Sequence, residues 1–430
     1  MKKLFLLILL FICVTVYAQR SGNYLQAALK AERWIHSQEI NKKDSGLAWY
    51  DTRDSLYSTS DIYHGNSGVV LFYLELYNIT KNPGYLHTAE SGMKYILSKP
   101  DTSLYPWTAG KAADIIYTSH QVYLQTKDPL YKNSAIKYLN QLNKQIVQVD
   151  TLIQFMHVAT YYHVGFIFLY ADRHKIIEDA LTPAKRIGDI FLKGSIKEKA
   201  GRRWTWFSNA DTAEKTSLNN FSHGTSGVAS YLADLYTQTN DKKYLQAATE
   251  AGDYLLSISN DSGWVPLFYP YIKSRYYLSV CHGPAGTSRL YYQLSKITKD
   301  KKWEDQIRIA AGSVMQSGIP EKLTAGFWNN VSQCCGSAGV AEWYIHLNEH
   351  YSDPNYIAFS KRMLDDIIKR GTVEKDMISW TQAENRVQPD LLQAQTGYGQ
   401  GAAGIGIALL HMYALENKKH TLIKLPEDPF

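Results

Sequence analysis

One short pattern recurs along the chain and limits what it can fold into. It reads His64-Gly65-Asn66-Ser67-Gly68, His223-Gly224-Thr225-Ser226-Gly227, His282-Gly283-Pro284-Ala285-Gly286, Cys335-Gly336-Ser337-Ala338-Gly339 and Gln400-Gly401-Ala402-Ala403-Gly404. Regular repetition of this kind points to a stacked or closed array in which each unit packs mainly on its neighbours. Cys281 and Cys334 each stand directly before a box, and Cys335 opens one. Soft ligands in equivalent loops of different repeats point to one shared metal site.

A second signal lies between the boxes. Asn82-Pro83-Gly84-Tyr85, Asp128-Pro129-Leu130-Tyr131, Asp241-Lys242-Lys243-Tyr244, Asp300-Lys301-Lys302-Trp303 and Asp353-Pro354-Asn355-Tyr356 each offer a capping side chain and an aromatic in the first helical turn. Each box is followed by an apolar stretch of helical length, such as Val228 to Tyr236 or Ile405 to Tyr413. The unit is therefore box, buried helix, short turn, capped amphipathic helix. Two further units are degenerate: Gly110 to Asp114 before a helix ending near Thr126, and Tyr162-His163-Val164-Gly165 before Phe166 to Tyr170. The expectation is an all-α domain over residues 19–430, with an inner and an outer ring of helices and every box at one end. Glycine there lets backbones crowd together, and helix N-termini give that end a positive dipole.

Residues 1–18 read as a secretory signal peptide: Lys2-Lys3, the apolar run Leu4 to Val16, then Tyr17-Ala18-Gln19. The run is shorter than the ~20 residues of a membrane span, so the expectation is an exported protein without a stable membrane anchor. A net charge of +6 with no basic stripe argues against a nucleic-acid partner. After residue 19 the chain keeps Cys281, Cys334 and Cys335, an odd number for an oxidising compartment. A disulfide between Cys281 and one of the pair is one reading. Metal ligation accounts for all three thiols. Oligomeric state is not encoded in any of these patterns.

The His-Gly-x-x-Gly boxes, Cys281-His282-Gly283-Pro284-Ala285-Gly286, Cys334-Cys335-Gly336-Ser337-Ala338-Gly339 and the closing Gly397 to Gly404 together resemble the lanthionine synthetase C-like family, over essentially the whole chain after the leader. The resemblance implies an α/α toroid of seven helical hairpins. It implies Zn2+ at the open end, held by Cys281, Cys334 and Cys335, with cysteine at 335 where histidine is usual. It also implies addition of a thiol to dehydroalanine or dehydrobutyrine, giving a thioether. The partner is then a peptide carrying dehydroamino acids, or a small thiol such as glutathione coupled to them. Three ligands leave the fourth tetrahedral position for a substrate thiol, whereas a fourth protein ligand, such as His282, would mark a structural site. The family's proton donor maps onto His223, with His282 as a second candidate, and imidazoles can move protons near neutrality. His64 reads as a structural loop histidine.

Two departures bear on the chemistry. The family's third-repeat aspartate has no counterpart, since His157, Val158 and His163 stand nearest, the histidines reading as packing residues. The arginine expected before Cys281 is missing as well, with Tyr277 at that position and Arg275 two residues too early. Two other functions fit a helical toroid. A zinc-binding peptide receptor without activity would tolerate both departures. A glycoside hydrolase would need paired carboxylates at the open end, where the boxes supply none and Asp114 stands alone.

Overall fold

The structure is a computed structural model that describes residues 23–50, 59–99, 106–148, 158–205, 217–269, 275–322, 330–382 and 393–430. The leader expected over residues 1–18 and His157 lie outside the described residues. Helix α1 is described over 23–37. Six helix pairs follow in chain order: α2 (Asn66–Thr80) with α3 (Pro83–Ser98), α4 (Pro106–Thr126) with α5 (Pro129–Val147), α6 (Val158–Arg173) with α7 (Leu181–Lys193), α8 (Thr225–Thr239) with α9 (Lys242–Ile258), α10 (Pro284–Thr298) with α11 (Lys301–Gln316), and α12 (Ser337–Tyr351) with α13 (Pro354–Arg370). Helix α14 (Ala402–Glu416) comes last. The even-numbered helices pack side by side around a ring that closes where α14 meets α2. Each of the six odd-numbered partners packs outside its own inner helix, giving the expected all-α toroid.

Sequence chemistry explains both rings. An inner helix touches neighbours on all sides, so it is apolar all round. In α14 this buries Ile405, Ile407, Leu409, Leu410 and Met412 together. An outer helix buries one stripe, as α9 does with Tyr244, Ala248, Ala251 and Leu255. The five expected caps form: Asn82, Asp128, Asp241, Asp300 and Asp353 each accept a hydrogen bond from the amide two residues on. Five short two-stranded antiparallel ribbons complete the described structure.

Helix α1 occupies the outer position that α14 would otherwise lack. The Tyr24 hydroxyl donates to Asp365 on α13, and Tyr73 on α2 donates to Glu32. The seventh hairpin therefore joins the two ends of the described chain.

The two degenerate units differ from expectation. Residues 110–114 and 162–165 are not loops but parts of α4 and α6. Without a Gly-x-x-Gly box no tight turn forms there, and the helices run on towards the mouth of the ring. Their side chains consequently stand where other repeats present backbone.

After α14 the chain turns back into the ring from the end opposite the boxes. Buried Glu75 on α2 accepts hydrogen bonds from the Leu422 and Ile423 amides, and Tyr117 on α4 donates to the Lys424 carbonyl. Burial opposes the Glu75 charge, yet the His411 imidazole 3.8 Å away and hydrogen bonds from Asn78 and the Ile423 amide hold its carboxyl below the usual range. At ~1.5 Å per helical residue, Glu75 lies about 14 Å below the start of α2. Arg289, which meets Asp428 at 3.2 Å, lies only about 8 Å below the start of α10. The returning segment thus climbs towards the mouth and closes the channel from below.

Candidate metal centre and reaction cavity

The loops at the mouth are tied to one another by a belt of backbone hydrogen bonds at equivalent positions. Ser222 N donates to Cys281 O (3.0 Å), Cys281 N to Cys334 O (3.1 Å), Cys334 N to Gly399 O (3.0 Å) and Gly399 N to Tyr63 O (2.8 Å). Every one of these residues immediately precedes a box. Each box folds tightly back on its own loop, which is possible because its last glycine carries no Cβ. A Cβ on Gly286 would lie 1.9 Å from Val280 O, and one on Gly339 2.0 Å from Gln333 O. The belt sets Cys281 and Cys334 directly beside each other, and Cys335 follows.

The three sulfurs form one cluster. Cys281 Sγ lies 3.2 Å from Cys335 Sγ, which lies 3.5 Å from Cys334 Sγ. All three fall within 4.8 Å of one another. Sulfurs around a tetrahedral zinc with ~2.3 Å bonds stand about 3.8 Å apart, so the donor set fits the ion. A disulfide does not fit, since its sulfurs would be ~2.05 Å apart and all three cysteines are free. His282 is not in the cluster. Its ring lies against His223 (centroids 5.4 Å apart) and Tyr277 (5.9 Å). Hydrogen bonds from Cys281 and Cys335 pull the Cys334 thiol well below its ordinary range, while burial and the neighbouring Cys334 push Cys281 up. Cys335 is raised by its hydrogen bonds to the other two. One negative charge is therefore accommodated by the trio itself, and ionising all three thiols calls for a cation. Gln400 supports the cluster from the last box, with Nε2 2.6 Å from Tyr63 Oη and 3.5 Å from Cys335 Sγ.

Below the sulfurs lies a cavity of about 690 Å³. His64, His223 and His282 line its upper wall, as the box positions imply. Arg275 is exposed, and Tyr277 is buried at the site's edge. An arginine nevertheless reaches the cavity from α10: Arg289 sits over the Phe221 ring at 4.7 Å.

Across the ring from the cysteines, the helical ends of α4 and α6 supply groups that the box pattern did not reveal. Asp114 accepts the Ile62 amide at 2.9 Å through one oxygen and meets His163 Nε2 at 2.9 Å through the other. Tyr162 donates to the Ser222 carbonyl, so these two helices tie into neighbouring loops through side chains. His163 is thus a cavity residue rather than a packing one. Burial disfavours its charge, but the hydrogen bond and the charge of Asp114, assisted by Glu427, push its pKa up to about 9. Glu342, Glu427 and Asp428 also line the cavity, so carboxylates are present there although the boxes hold none.

The matching residues of the lanthionine synthetase C-like protein family span 58–425. The chain belongs to the lanthionine synthetase C-like family. Among solved structures it is similar to nisin cyclase, with TM-score 0.65 and 14% identity over 92% of this chain and 95% of that one. It is similar to the Lin0763 protein from Listeria innocua, with TM-score 0.55 and 13% identity over 92% and 99%. A D-mannose isomerase also matches, with TM-score 0.52 and 13% identity over 93% and 96%. At these identities the likeness is one of fold. The same toroid occurs in nisin cyclase and in a D-mannose isomerase, so the ring by itself does not fix the chemistry.

The Asp114–His163 pair has a pH signature. A folded pKa near 9 lies above the ordinary ~6.5 of histidine. Its stabilisation is therefore complete below about pH 6.5 and is lost as pH rises through about 9. A quarter of the His163 side chain faces the cavity, which tempers the pair's worth to about 1–3 kcal/mol. Urea unfolding should show Asp114→Asn destabilised at pH 6 and closer to wild type at pH 9.5. Imidazole NMR should place the variant His163 well below 9.

Proposed function

We propose that this protein is an exported, zinc-dependent enzyme that adds a thiol across the double bond of dehydroalanine or dehydrobutyrine, giving a thioether. The observation that carries this reading is the three-sulfur cluster of Cys281, Cys334 and Cys335 at the mouth of a closed-bottom cavity in a lanthionine synthetase C-like chain. When bound, zinc supplies the Lewis acidity that lets a substrate thiol ionise at neutral pH. The chain's own residues do the rest. The cysteines offer three ligands, and His282, whose ring lies against His223, is not among them, which supports an open fourth position for the substrate.

In the addition, sulfur bonds to the β-carbon, the thiol proton is lost, and the α-carbon gains a proton. His223 is the proposed donor of that proton, held at a ring nitrogen in the loop next to Cys281, with His282 beside it. The substrate is a peptide bearing dehydroamino acids, or such a residue together with a small thiol. A zinc-binding receptor without turnover would share the cluster and lack the reaction.

Cobalt substitution tests the open position. The cobalt-loaded protein should bind about one ion per chain, and a small thiol should shift its visible absorption. An unshifted spectrum over a wide range of thiols would mean that the fourth position is filled by the protein, and that the site is structural.

A further inference from the structure

The cavity floor is built by the segment that returns after α14, and one of its carboxylates stands in no close ion pair, although its charge reaches His163 from farther away. Asp428 is matched by Arg289 at 3.2 Å and His346 at 3.8 Å. On the walls, Asp114 is matched by His163 at 2.9 Å and Glu342 by His411 at 2.7 Å. Glu427 differs from all of these. Among the described residues no Lys, Arg or His nitrogen comes within 4.0 Å of its carboxylate. Its Oε2, shut away from solvent, has no hydrogen-bond partner. The carboxylate lies close enough to Tyr117, Tyr162 and Tyr398 to oppose ionisation of all three hydroxyls.

A carboxylate oxygen enclosed without a partner is costly, and the cost is relieved by a cation brought in with the ligand. Tyr117, Tyr162 and Tyr398 line the same cavity as Glu427, and aromatic rings attract the same kind of group. The cysteine cluster and Glu427 line one cavity of about 690 Å³, so the two ends of a single small molecule can share it. We propose that Glu427 and the tyrosines around it form a subsite for an ammonium group, and that the thiol taken by this cavity carries a primary amine. The sulfur end of this assignment rests on the proposed function, whereas the amine end stands on Glu427 alone.

The test is a matched series of ω-aminothiols and ω-hydroxythiols with two to six methylenes, titrated at pH 7 into the cobalt-loaded protein. At one chain length or more, the amine should bind about 10–100-fold tighter than the alcohol, the worth of a charge-assisted hydrogen bond. Glu427→Gln should erase that preference and leave hydroxythiol binding unchanged. Equal binding of amine and alcohol at every length, or a preference that survives Glu427→Gln, overturns the proposal. Calorimetry with n-butylammonium and the zinc-loaded protein reads the amine end without any thiol, and the same glutamine variant should abolish its heat. If butylammonium binds through Glu427 but no thiol shifts the cobalt spectrum, the proposed function fails and this subsite stands. Thiol shifts without any Glu427-dependent preference do the reverse.

Discussion

Cys281→Ala is expected to strip zinc from the protein while leaving the ring folded. Cys281 is one of three sulfurs within 4.8 Å of one another. Cys281, Cys334 and Cys335 are the only cysteines after residue 19, so none is spare to replace it. Losing a mere supporting partner of a ligand costs 10–100-fold in metal affinity, so losing a ligand from a three-ligand set should cost about 10³-fold or more. The loss should stay local. The belt that positions the cluster runs through the Cys281 backbone, whose N–H and C=O bond Cys334 and Ser222 and are unchanged by the substitution. Elemental analysis after dialysis against a mild chelator should find the wild type near one zinc per chain and the variant near none, with the same far-UV circular dichroism. Full zinc occupancy in the variant would remove Cys281 from the ligand set, and collapse of the helical signal on chelation would mark a structural ion.

His223→Asn should fail differently. Asparagine keeps a polar group at the cavity wall but cannot carry a proton to carbon, so the variant should keep its zinc and still bind thiol. Thioether formation should fall by roughly 10²–10⁴, the usual worth of a positioned acid. His282→Asn is the companion variant, because the two rings lie 5.4 Å apart and either could present a proton to the same region. Unchanged turnover in His223→Asn moves the role to His282 or to the Asp114–His163 pair across the cavity.

The parts of this molecule legible in the sequence were those written locally. A Gly-x-x-Gly box needs its glycines for close backbone contact, and an Asp or Asn cap needs only the two residues that follow. The inner and outer helices, the single mouth and the adjacency of Cys281 to Cys334 and Cys335 all follow from such short patterns. The opposite wall of the cavity was not legible for the converse reason. Asp114 and His163 lie 49 residues apart within helices that lack the box, and only the closure of the ring brings them together. Arg289 and Glu427 lie outside every box and cap pattern. Helix α1 was missed because its inner partner stands at the far end of the sequence. The signal in each case was present but depended on contacts between distant segments: a charged residue inside an otherwise buried helix, as at Asp114 and Arg289, is the kind of mark that would have found them.

The most direct test of the account is to incubate the zinc-loaded protein with a peptide containing one dehydroalanine and an excess of small thiol, and to follow the peptide by mass spectrometry. A single adduct is expected, with a mass equal to the sum of peptide and thiol. It should form faster than without protein and be abolished by Cys281→Ala. A protein that holds its zinc and binds the thiol, yet leaves the dehydroalanine peptide unmodified across peptides and thiols, would contradict it.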